Sequence, residues 1–293
     1  MPDFVDLHCH STASDGSLSP AQVVHRARAN GLAGLSLTDH DTVAGVAEAA
    51  DEARRIGLPF ISGIEISCDV PKPATLHMLG YGVDPRDPVL LDMTRQLVEF
   101  RNTRNPRIVR NLNELGVHVT LEEWQQEAGG QVLGRPHLAA VLVRKGYVSS
   151  VQQAFDKYLA QGSPAYADKE RLAPDRAIQM IHEAGGLAVL AHPVQLRYAH
   201  DAQLVATVRR LGDAGLDGIE TIHSHHTPEL TGRYSALADE LGLLKTGGSD
   251  FHGESKEDIE LGLANGMRVP RAMMDALLDR LAGQRRKAPP SGE

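Results

Sequence analysis

The fold is decided by the stretch FVDLHCH (residues 4–10), an apolar run that ends in a His-x-His pair. Alternate side chains of an extended strand share one face, so His8 and His10 point the same way and Cys9 points the other way. Two imidazoles on one face at a strand end form half of a metal site. The loop that follows carries Asp15, which it can bring in as a third ligand. This stretch therefore predicts a metal site at a strand end.

Length and composition limit the class of protein. The 293 residues suit one large α/β domain or one such domain with an insertion, and the hydrophobic content of 42% is ordinary for a globular protein. The net charge of −8 excludes an overall basic field for long double-stranded nucleic acid, although a local basic pocket for a small phosphorylated ligand remains allowed. Two cysteines, no signal peptide and no membrane-spanning apolar run predict a cytoplasmic protein without a membrane partner.

Strand-like and helix-like runs alternate along the chain. The predicted helices cover about 20–29, 43–56, 174–184, 201–214 and 228–241, and Ser19 and Pro20 form the start signal of the first. Such alternation predicts a parallel barrel or a doubly wound sheet, and periodicity alone leaves both open. The predicted strands are 4–8, 35–38, 59–66, 75–81, 187–191, 218–222 and 243–246.

The segment 88–168 breaks this alternation, because it is helical and contains no strong strand pattern. We predict that it is a helical insertion that forms a cap over the site, while 1–87 and 169–283 form the barrel. The last residues, 284–293, are rich in Pro, Ser and Gly and are predicted to be a flexible tail.

Histidines and carboxylates follow the predicted strand ends, which is the face where barrel enzymes carry their active sites. The candidate set is too large for one ion and suits two or three, with Glu65 as a bridging carboxylate. Its mixture of imidazoles and carboxylates favours Mn, Zn or Fe over Mg or Ca. For His223 and His226, solvated or capping roles remain equally open. The candidate ligands are His8, His10, Asp15, His40, Glu65, His77, His192, Asp250 and His252.

These motifs resemble those of the polymerase and histidinol phosphatase (PHP) family. The matching blocks are His8-x-His10, TDHD at 38–41, GIE at 63–65, AHP at 191–193 and GSD-x-H at 248–252. The resemblance implies an α/β fold, a distorted (β/α)7 barrel of the PHP type with three divalent ions, above all Mn²⁺, with Zn²⁺, Fe²⁺ or Mg²⁺ as alternatives. It assigns the ligands to three ions: His8, His10, Glu65 and Asp250 for the first, Glu65, His77 and His192 for the second, and Asp15, His40 and His252 for the third.

The insertion is similar to that of the TrpH-like subgroup, through GRPHLA at 134–139 and FDKYL at 155–159. This resemblance implies a phosphatase that removes the 3′-phosphate of nucleoside 3′,5′-bisphosphates, for example converting adenosine 3′,5′-bisphosphate to AMP and phosphate. It also implies 5′→3′ exonuclease action on short RNA. Histidinol-phosphate phosphatase and a non-catalytic metal-binding module are the alternatives.

The expected chemistry is attack on phosphorus by a hydroxide that bridges two metals. Asp250 or a nearby histidine, His225, is predicted to handle the proton. Arg135, Lys169 and His225 are predicted to hold the phosphate or sugar, since a guanidinium suits bidentate phosphate contacts. The alternatives are a salt-bridged loop arginine for Arg135 and an exposed charge run for Lys169. His137 is expected either to support the site or to pack within the cap.

Overall fold

The structure, a computed structural model, describes residues 3–71, 74–129, 132–256 and 258–287. Strands and helices alternate through most of this chain. The strands are β1 (Phe4–Val5), β2 (Leu35–Leu37), β3 (Phe60–Cys68), β4 (Leu76–Tyr81), β5 (Leu187–Leu190), β6 (Gly218–His223), β7 (Leu244–Gly248) and β8 (Val269–Pro270). The helices are α1 (Pro20–Ala29), α2 (Val46–Ile56), α3 (Pro88–Glu114), α4 (Leu121–Ala128), α5 (Arg135–Arg144), α6 (Val151–Ala154), α7 (Pro174–Glu183), α8 (Asp201–Asp213), α9 (Pro228–Leu241) and α10 (Arg271–Lys287).

Six strands form one curled sheet in the order β2-β3-β4-β5-β6-β7. Its pairs are parallel except β3–β4 and β4–β5, because β4 runs the opposite way. The connection from β3 to β4 is short and contains no described helix, so it cannot make the crossover that a parallel neighbour needs. The prediction of an α/β barrel is confirmed, and the reversed β4 is its main distortion.

The first strand is shorter than predicted. Regular pairing covers only Phe4–Val5, against β8, rather than residues 4–8. Beyond Val5 the chain lies between both edges of the curled sheet: the Ser36 amide donates to Asp6 O at 2.9 Å, and the Leu7 amide donates to Gly247 O at 3.2 Å. The segment 6–10 therefore bridges the two edges of the sheet and closes the barrel. This closure distinguishes the structure from an open doubly wound sheet.

Local sequence signals account for the helix ends. Ser19 caps α1 as predicted: its side chain accepts from the Gln22 amide, and the Gln22 side chain accepts from the Ser19 amide. The second helix begins at Val46 rather than at residue 43, after a turn that ends at Gly45. Among the described residues, none of the helices combines the length and hydropathy needed to cross a bilayer.

Two hydrophobic cores lie along α3, a single helix of 27 residues. Its first half contributes Leu90, Met93 and Leu97 to the barrel core. Its second half contributes Ile108 and Leu112 to a separate core shared by α4, α5 and α6. The second core therefore begins inside α3, beyond the boundary that we predicted at residue 88, and the division into barrel and cap stays a prediction.

The chain end differs from the sequence-based expectation. We predicted a flexible tail from residue 284, but α10 continues to Lys287, and 288–293 lie outside the described residues. Met274 and Leu277 of α10 pack with Val5, Tyr81 and Leu187 in a buried cluster below the carboxyl ends of the strands. Neither α10 nor β8 was predicted, and β8 is too short to show a strand periodicity.

Gly248 lets the end of β7 approach the segment 6–10 closely. A Cβ atom built at this position would lie 2.3 Å from His8 Cβ and 2.4 Å from His8 N. We expect Gly248→Ala to destabilise the fold by about 1–3 kcal/mol through overpacking. Chemical denaturation measures the change. Gly212→Ala is the control, since nothing lies within 4 Å of that position in α8, and it should leave stability unchanged or raise it. Equal stability of both variants would contradict the prediction.

Candidate active site

Glu65 lies at the centre of the predicted ligand set, fully buried near the middle of β3. Its two carboxylate oxygens face five imidazole nitrogens from four separate segments of the chain. The distances from Oε2 are 3.3 Å to His8 Nε2, 3.3 Å to His10 Nε2 and 2.9 Å to His40 Nδ1, and those from Oε1 are 2.7 Å to His77 Nδ1 and 2.8 Å to His192 Nε2.

Asp250 joins this cluster from the turn after β7. Its Oδ1 lies 3.2 Å from His10 Nε2 and 3.6 Å from His8 Nε2, and the residue takes a positive φ of 58°. Its other oxygen, Oδ2, lies 2.7 Å from Lys256 Nζ. Positive φ is uncommon outside glycine, so the local backbone is held in a costly conformation that aims this carboxylate at the histidines.

The remaining predicted ligands form an adjoining group around Asp15. Its Oδ1 lies 3.3 Å from His252 Nε2, and its Oδ2 lies 3.9 Å from His40 Nε2. The rings of His10 and His252 stack with their centroids 4.1 Å apart. The structure thus brings all nine predicted ligands together, and three groupings of them can each hold a metal ion: His10–Asp15–His40–His252, His8–His10–Glu65–Asp250 and His40–Glu65–His77.

The donor atoms of this cluster fit divalent metal ions. His8 Nε2, His10 Nε2, His40 Nδ1 and Glu65 Oε2 are buried, and none has a hydrogen-bond partner among the described residues. Buried polar atoms are almost always partnered, because an unpaired one costs free energy. Imidazole nitrogen and carboxylate oxygen are ligands of Mn, Zn and Fe, so the chemistry of the donor set and its unpaired atoms agree.

Burial and neighbouring charge act in opposite directions on the ligands. Burial disfavours the charged form of His10, but Asp250 and Glu65 outweigh it and raise the pKa of His10 to about 9. Burial dominates at His77 and at His252 and lowers the pKa of each to about 4. Burial also opposes ionisation of Glu65, yet the surrounding histidines hold its pKa well below the ordinary value. The cluster therefore keeps its carboxylate ionised, as metal ligation requires.

Glu220 and His223 of β6 also belong to the site, although the sequence did not assign Glu220 and left His223 open. Glu220 Oε1 lies 2.9 Å from His8 Nδ1, and His223 Nε2 lies 3.5 Å from Asp250 Oδ2. Both side chains are fully buried. The available signal was a carboxylate within the otherwise apolar run 218–222, since a charged residue is almost never fully buried unless it is paired.

A cavity of about 610 Å³ lies between the ligand cluster and the helical insertion. The ligand side of its wall includes Asp15, His40, Glu65 and His192. The opposite side is strongly cationic, which the sequence revealed only in part through Arg135 and Lys169. The cations that line this side are Arg101, Arg104, Arg135, Lys169 and Arg171.

Two of these cations share one buried carboxylate. Arg101 Nη2 and Lys169 Nζ lie 2.5 and 2.7 Å from Asp41 Oδ2. Burial and the nearby Arg101 lower the pKa of Lys169 to about 7, although Asp41 opposes the shift. In turn, Lys169 and Arg101 hold the pKa of Asp41 far below its usual range in spite of burial. Lys169 is thus neither exposed nor part of a solvated charge run.

Arg104 and Arg135 are held differently. Arg104 is buried, and its guanidinium donates to the amide oxygen of Asn105 at 2.7 and 3.0 Å. Arg135 donates to Leu159 O at 2.9 Å, and its guanidinium carbon lies 5.7 and 5.5 Å from the ring centroids of Phe155 and Tyr166. Burial lowers the pKa of both arginines. Their guanidiniums are therefore fixed by neutral groups and rings at the cavity wall.

Two predicted residues lie elsewhere. His225 is exposed and is not among the residues that line the cavity of about 610 Å³. Its ring centroid lies 5.2 Å from that of His223. Its role in substrate binding and proton transfer stays a prediction. His137 packs within the insertion and accepts from the Gly134 amide at 3.2 Å. Cys9 and Cys68 are both free and buried.

The fold is a curled sheet of strands connected mostly by helices. The buried imidazoles and carboxylates at the carboxyl ends of its strands are typical of a metal-dependent hydrolase. Residues 6–170 match the PHP domain family. The chain is 36% identical to the 3′,5′-nucleoside bisphosphate phosphatase of Chromobacterium violaceum over 261 residues, which cover 87% of this chain and 90% of that protein. It is 38% identical to the 5′-3′ exoribonuclease Rnm of Escherichia coli over 250 residues, which cover 84% of each.

A solved structure shows the same fold. It is an amidohydrolase from Chromobacterium violaceum with bound sulfate and no metal, and it superposes with a TM-score of 0.84 at 32% identity over 96% of both chains. The chain belongs to the PHP domain family. The sequence-based predictions of this family and of the PHP-type α/β fold are therefore confirmed, and so is the prediction that the chain is a hydrolase.

Removing the Asp41 carboxylate tests the electrostatics of the cationic wall. We expect Asp41→Asn to destabilise the fold by about 3–5 kcal/mol, because Arg101 and Lys169 would lose the anion that compensates them. Urea denaturation measures the change. Asp51→Asn is the matched control, since the ion pair of Asp51 with Arg54 is exposed, and it should unfold like the unmodified protein. If the two variants were equally stable, Asp41 would not have the compensating role given to it.

Proposed function

We propose that this chain is a phosphoesterase that removes the 3′-phosphate from nucleoside 3′,5′-bisphosphates and, by the same reaction, shortens 5′-phosphorylated RNA. One observation carries the proposal: a cluster of metal ligands and a cluster of buried cations face each other across one cavity. A substrate with two phosphates can place one phosphate at each side. The negative charge of such a substrate suits the cations of the wall.

The ligand side is proposed to hold three divalent ions, with Mn²⁺ as the metal in function. His8, His10, Glu65 and Asp250 would hold the first, Glu65, His77 and His192 the second, and Asp15, His40 and His252 the third. Ions bound there would supply a hydroxide nucleophile at neutral pH and positive charge opposite the phosphoryl oxygens. Glu65 supports this assignment, since each of its oxygens faces a different set of histidines.

Asp250 is the residue to which we assign the handling of the proton. Its Oδ1 belongs to the ligand cluster, while its Oδ2 lies 2.7 Å from Lys256 Nζ. Lys256 also lines the cavity and is suited to face the leaving alcohol. His225 remains the alternative, through its position beside His223.

The cap side is proposed to bind the phosphate that is not cleaved. Arg104 and Arg135 are the foremost anchors, because their guanidinium groups are fixed at the wall by neutral partners and remain able to donate to an anion. Lys169 is proposed to contribute positive charge from its pair with Asp41. Phe155 and Tyr166 line the same cavity and offer flat faces to a nucleobase.

Relatives support a nucleotide substrate. The names of the Chromobacterium violaceum and Escherichia coli proteins describe a bisphosphate phosphatase and an exoribonuclease, which break the same kind of phosphorus–oxygen bond. The related amidohydrolase structure holds a sulfate, which resembles phosphate in shape and charge. Histidinol phosphate suits the cavity less well, because it carries one phosphate and a cationic amine that the arginines would repel.

A substrate panel tests the proposed function. With Mn²⁺, we expect fast phosphate release from adenosine 3′,5′-bisphosphate, fast cleavage of a 5′-phosphorylated dinucleotide and slow release from histidinol phosphate. Phosphate assays and chromatography of the products measure the rates. Asp250→Asn, purified identically, controls for a contaminating phosphatase and should be inactive. Fast hydrolysis of histidinol phosphate with none of the bisphosphate would overturn the choice of substrate.

The anchoring role of Arg104 has its own test. Arg104→Met should raise KM for adenosine 3′,5′-bisphosphate by about 10- to 100-fold, since a charged hydrogen bond contributes about 1.5–3 kcal/mol. Hydrolysis of p-nitrophenyl phosphate, which has no second phosphate, should change little. Arg107→Met is the matched control, because Arg107 lies exposed on the same helix. An equal loss on both substrates would show that Arg104 has a different role.

A further inference from the structure

Glu220 is a fully buried carboxylate whose two oxygens contact two different histidines of the ligand cluster. Oε1 lies 2.9 Å from His8 Nδ1, and Oε2 accepts from the backbone amide of His192 at 2.7 Å. Neither contact uses the nitrogen atom that the histidine turns toward Glu65. Glu220 therefore lies on the side of His8 away from Glu65, where it forms with His8 and His223 a further group whose atoms are close enough to hold an ion.

The first contact determines where His8 carries its proton. Glu220 Oε2 already accepts from the His192 amide at 2.7 Å, and Oε1 lies at hydrogen-bond distance, 2.9 Å, from His8 Nδ1. An ionised carboxylate only accepts hydrogen bonds, so the proton of a neutral His8 ring lies on Nδ1. Nε2 then keeps its lone pair, and it is this atom that faces Glu65 Oε2 at 3.3 Å and Asp250 Oδ1 at 3.6 Å.

The second contact holds a strained backbone. His192 lies two residues beyond the end of β5 and has a φ of 24° and a ψ of 68°, outside the regions that residues with a side chain favour. Such a conformation persists where surrounding contacts impose it. The bond from its amide to Glu220 fixes the residue whose Nε2 lies 2.8 Å from Glu65 Oε1.

We propose that Glu220 is a positioning residue that fixes the ring protonation of His8 and the backbone of His192, so that one carboxylate prepares ligands of two neighbouring metal ions. The proposal rests on the proposed metal centre and goes beyond it, since Glu220 is not itself among the assigned ligands. Carboxylates that accept from the second nitrogen of a ligating histidine orient its ring and raise its basicity.

The chemistry of the contacts selects the test variant. Glu220→Gln keeps the size of the side chain but offers one acceptor and one donor group, whereas both partners donate. If the amide nitrogen faces His8, the His8 proton must move to Nε2, where the lone pair is needed. If it faces His192, two N–H groups oppose each other. Either orientation disturbs one of the two ligands.

Asp217 provides a matched control in the same part of the sheet. Its Oδ2 accepts from the Ala188 amide at 2.9 Å and lies 2.8 Å from His182 Nε2. This repeats the pattern of one carboxylate between a backbone amide and an imidazole, but without a residue of the ligand cluster. Asp217→Asn therefore changes a similar but less buried contact and leaves the predicted metal ligands in place.

Mn²⁺ binding of the full chain, measured by titration calorimetry and by metal content after dialysis, tests the proposal. We expect Glu220→Gln to weaken Mn²⁺ binding by about 10- to 100-fold, as loss of such supporting carboxylates does, and Asp217→Asn to bind like the unmodified protein. Excess Mn²⁺ should restore most of the activity of Glu220→Gln, which a merely unfolded variant would not show.

The possible failures are separable. Unchanged Mn²⁺ affinity in folded Glu220→Gln overturns the role of Glu220 and leaves the proposed function intact. No Mn²⁺ binding by the unmodified protein would contradict the proposed metal centre itself. If Glu220→Gln does not fold, nitrogen NMR of the unmodified Zn²⁺-loaded protein tests the proposal directly: a proton on His8 Nδ1 supports it, and a proton on His8 Nε2 overturns it.

Discussion

The carboxylate of Glu65, removed from solvent and surrounded by imidazoles, is the constraint on which the rest of this structure depends. A buried charge is costly unless it is paired or bound to a metal. The pairing groups come from the segment 6–10, from the loop after β2, from β4 and from the segment after β5. Because the sheet curls and the segment 6–10 joins its edges, these separate parts of the chain reach one carboxylate.

The cavity has two walls of different origin and opposite electrostatic character. The ligand wall is built by strand ends over the barrel core, and its carboxylates must remain ionised. The cationic wall carries several arginines, and burial lowers the pKa of Arg104 and Arg135. Asp41 links the walls, because it directly follows His40, a predicted ligand, and pairs with Arg101 of α3 and with Lys169. A substrate rich in phosphate can serve both walls at once.

The sequence was sufficient to predict which histidines and carboxylates lie together, and much less so for the cationic residues of the cap side. Strand ends bring their following residues to one face, so histidines placed there could be expected to meet, and all nine predicted ligands do. Arg104 and Arg171 could not be found in this way, because helical residues and loop residues reach a site only through tertiary packing. Glu220 was missed because a lone carboxylate in an apolar strand shows that a partner exists but not which one. The reversal of β4 followed from the short connection before it. That short connection was visible in the sequence, but the alternation of strands and helices led us to expect parallel strands.

The continuity of α3 through both hydrophobic cores has a consequence for how this protein can change over time. Each residue of an α-helix advances the chain by about 1.5 Å and turns it by about 100°, from 3.6 residues per turn. One inserted or deleted residue between Leu97 and Arg101 would rotate Arg101 and Arg104 away from the cavity while the barrel half of the helix stayed in place. We therefore expect a change of length to be tolerated in the loops between α4, α5 and α6 and to disrupt the cationic wall when it falls within α3.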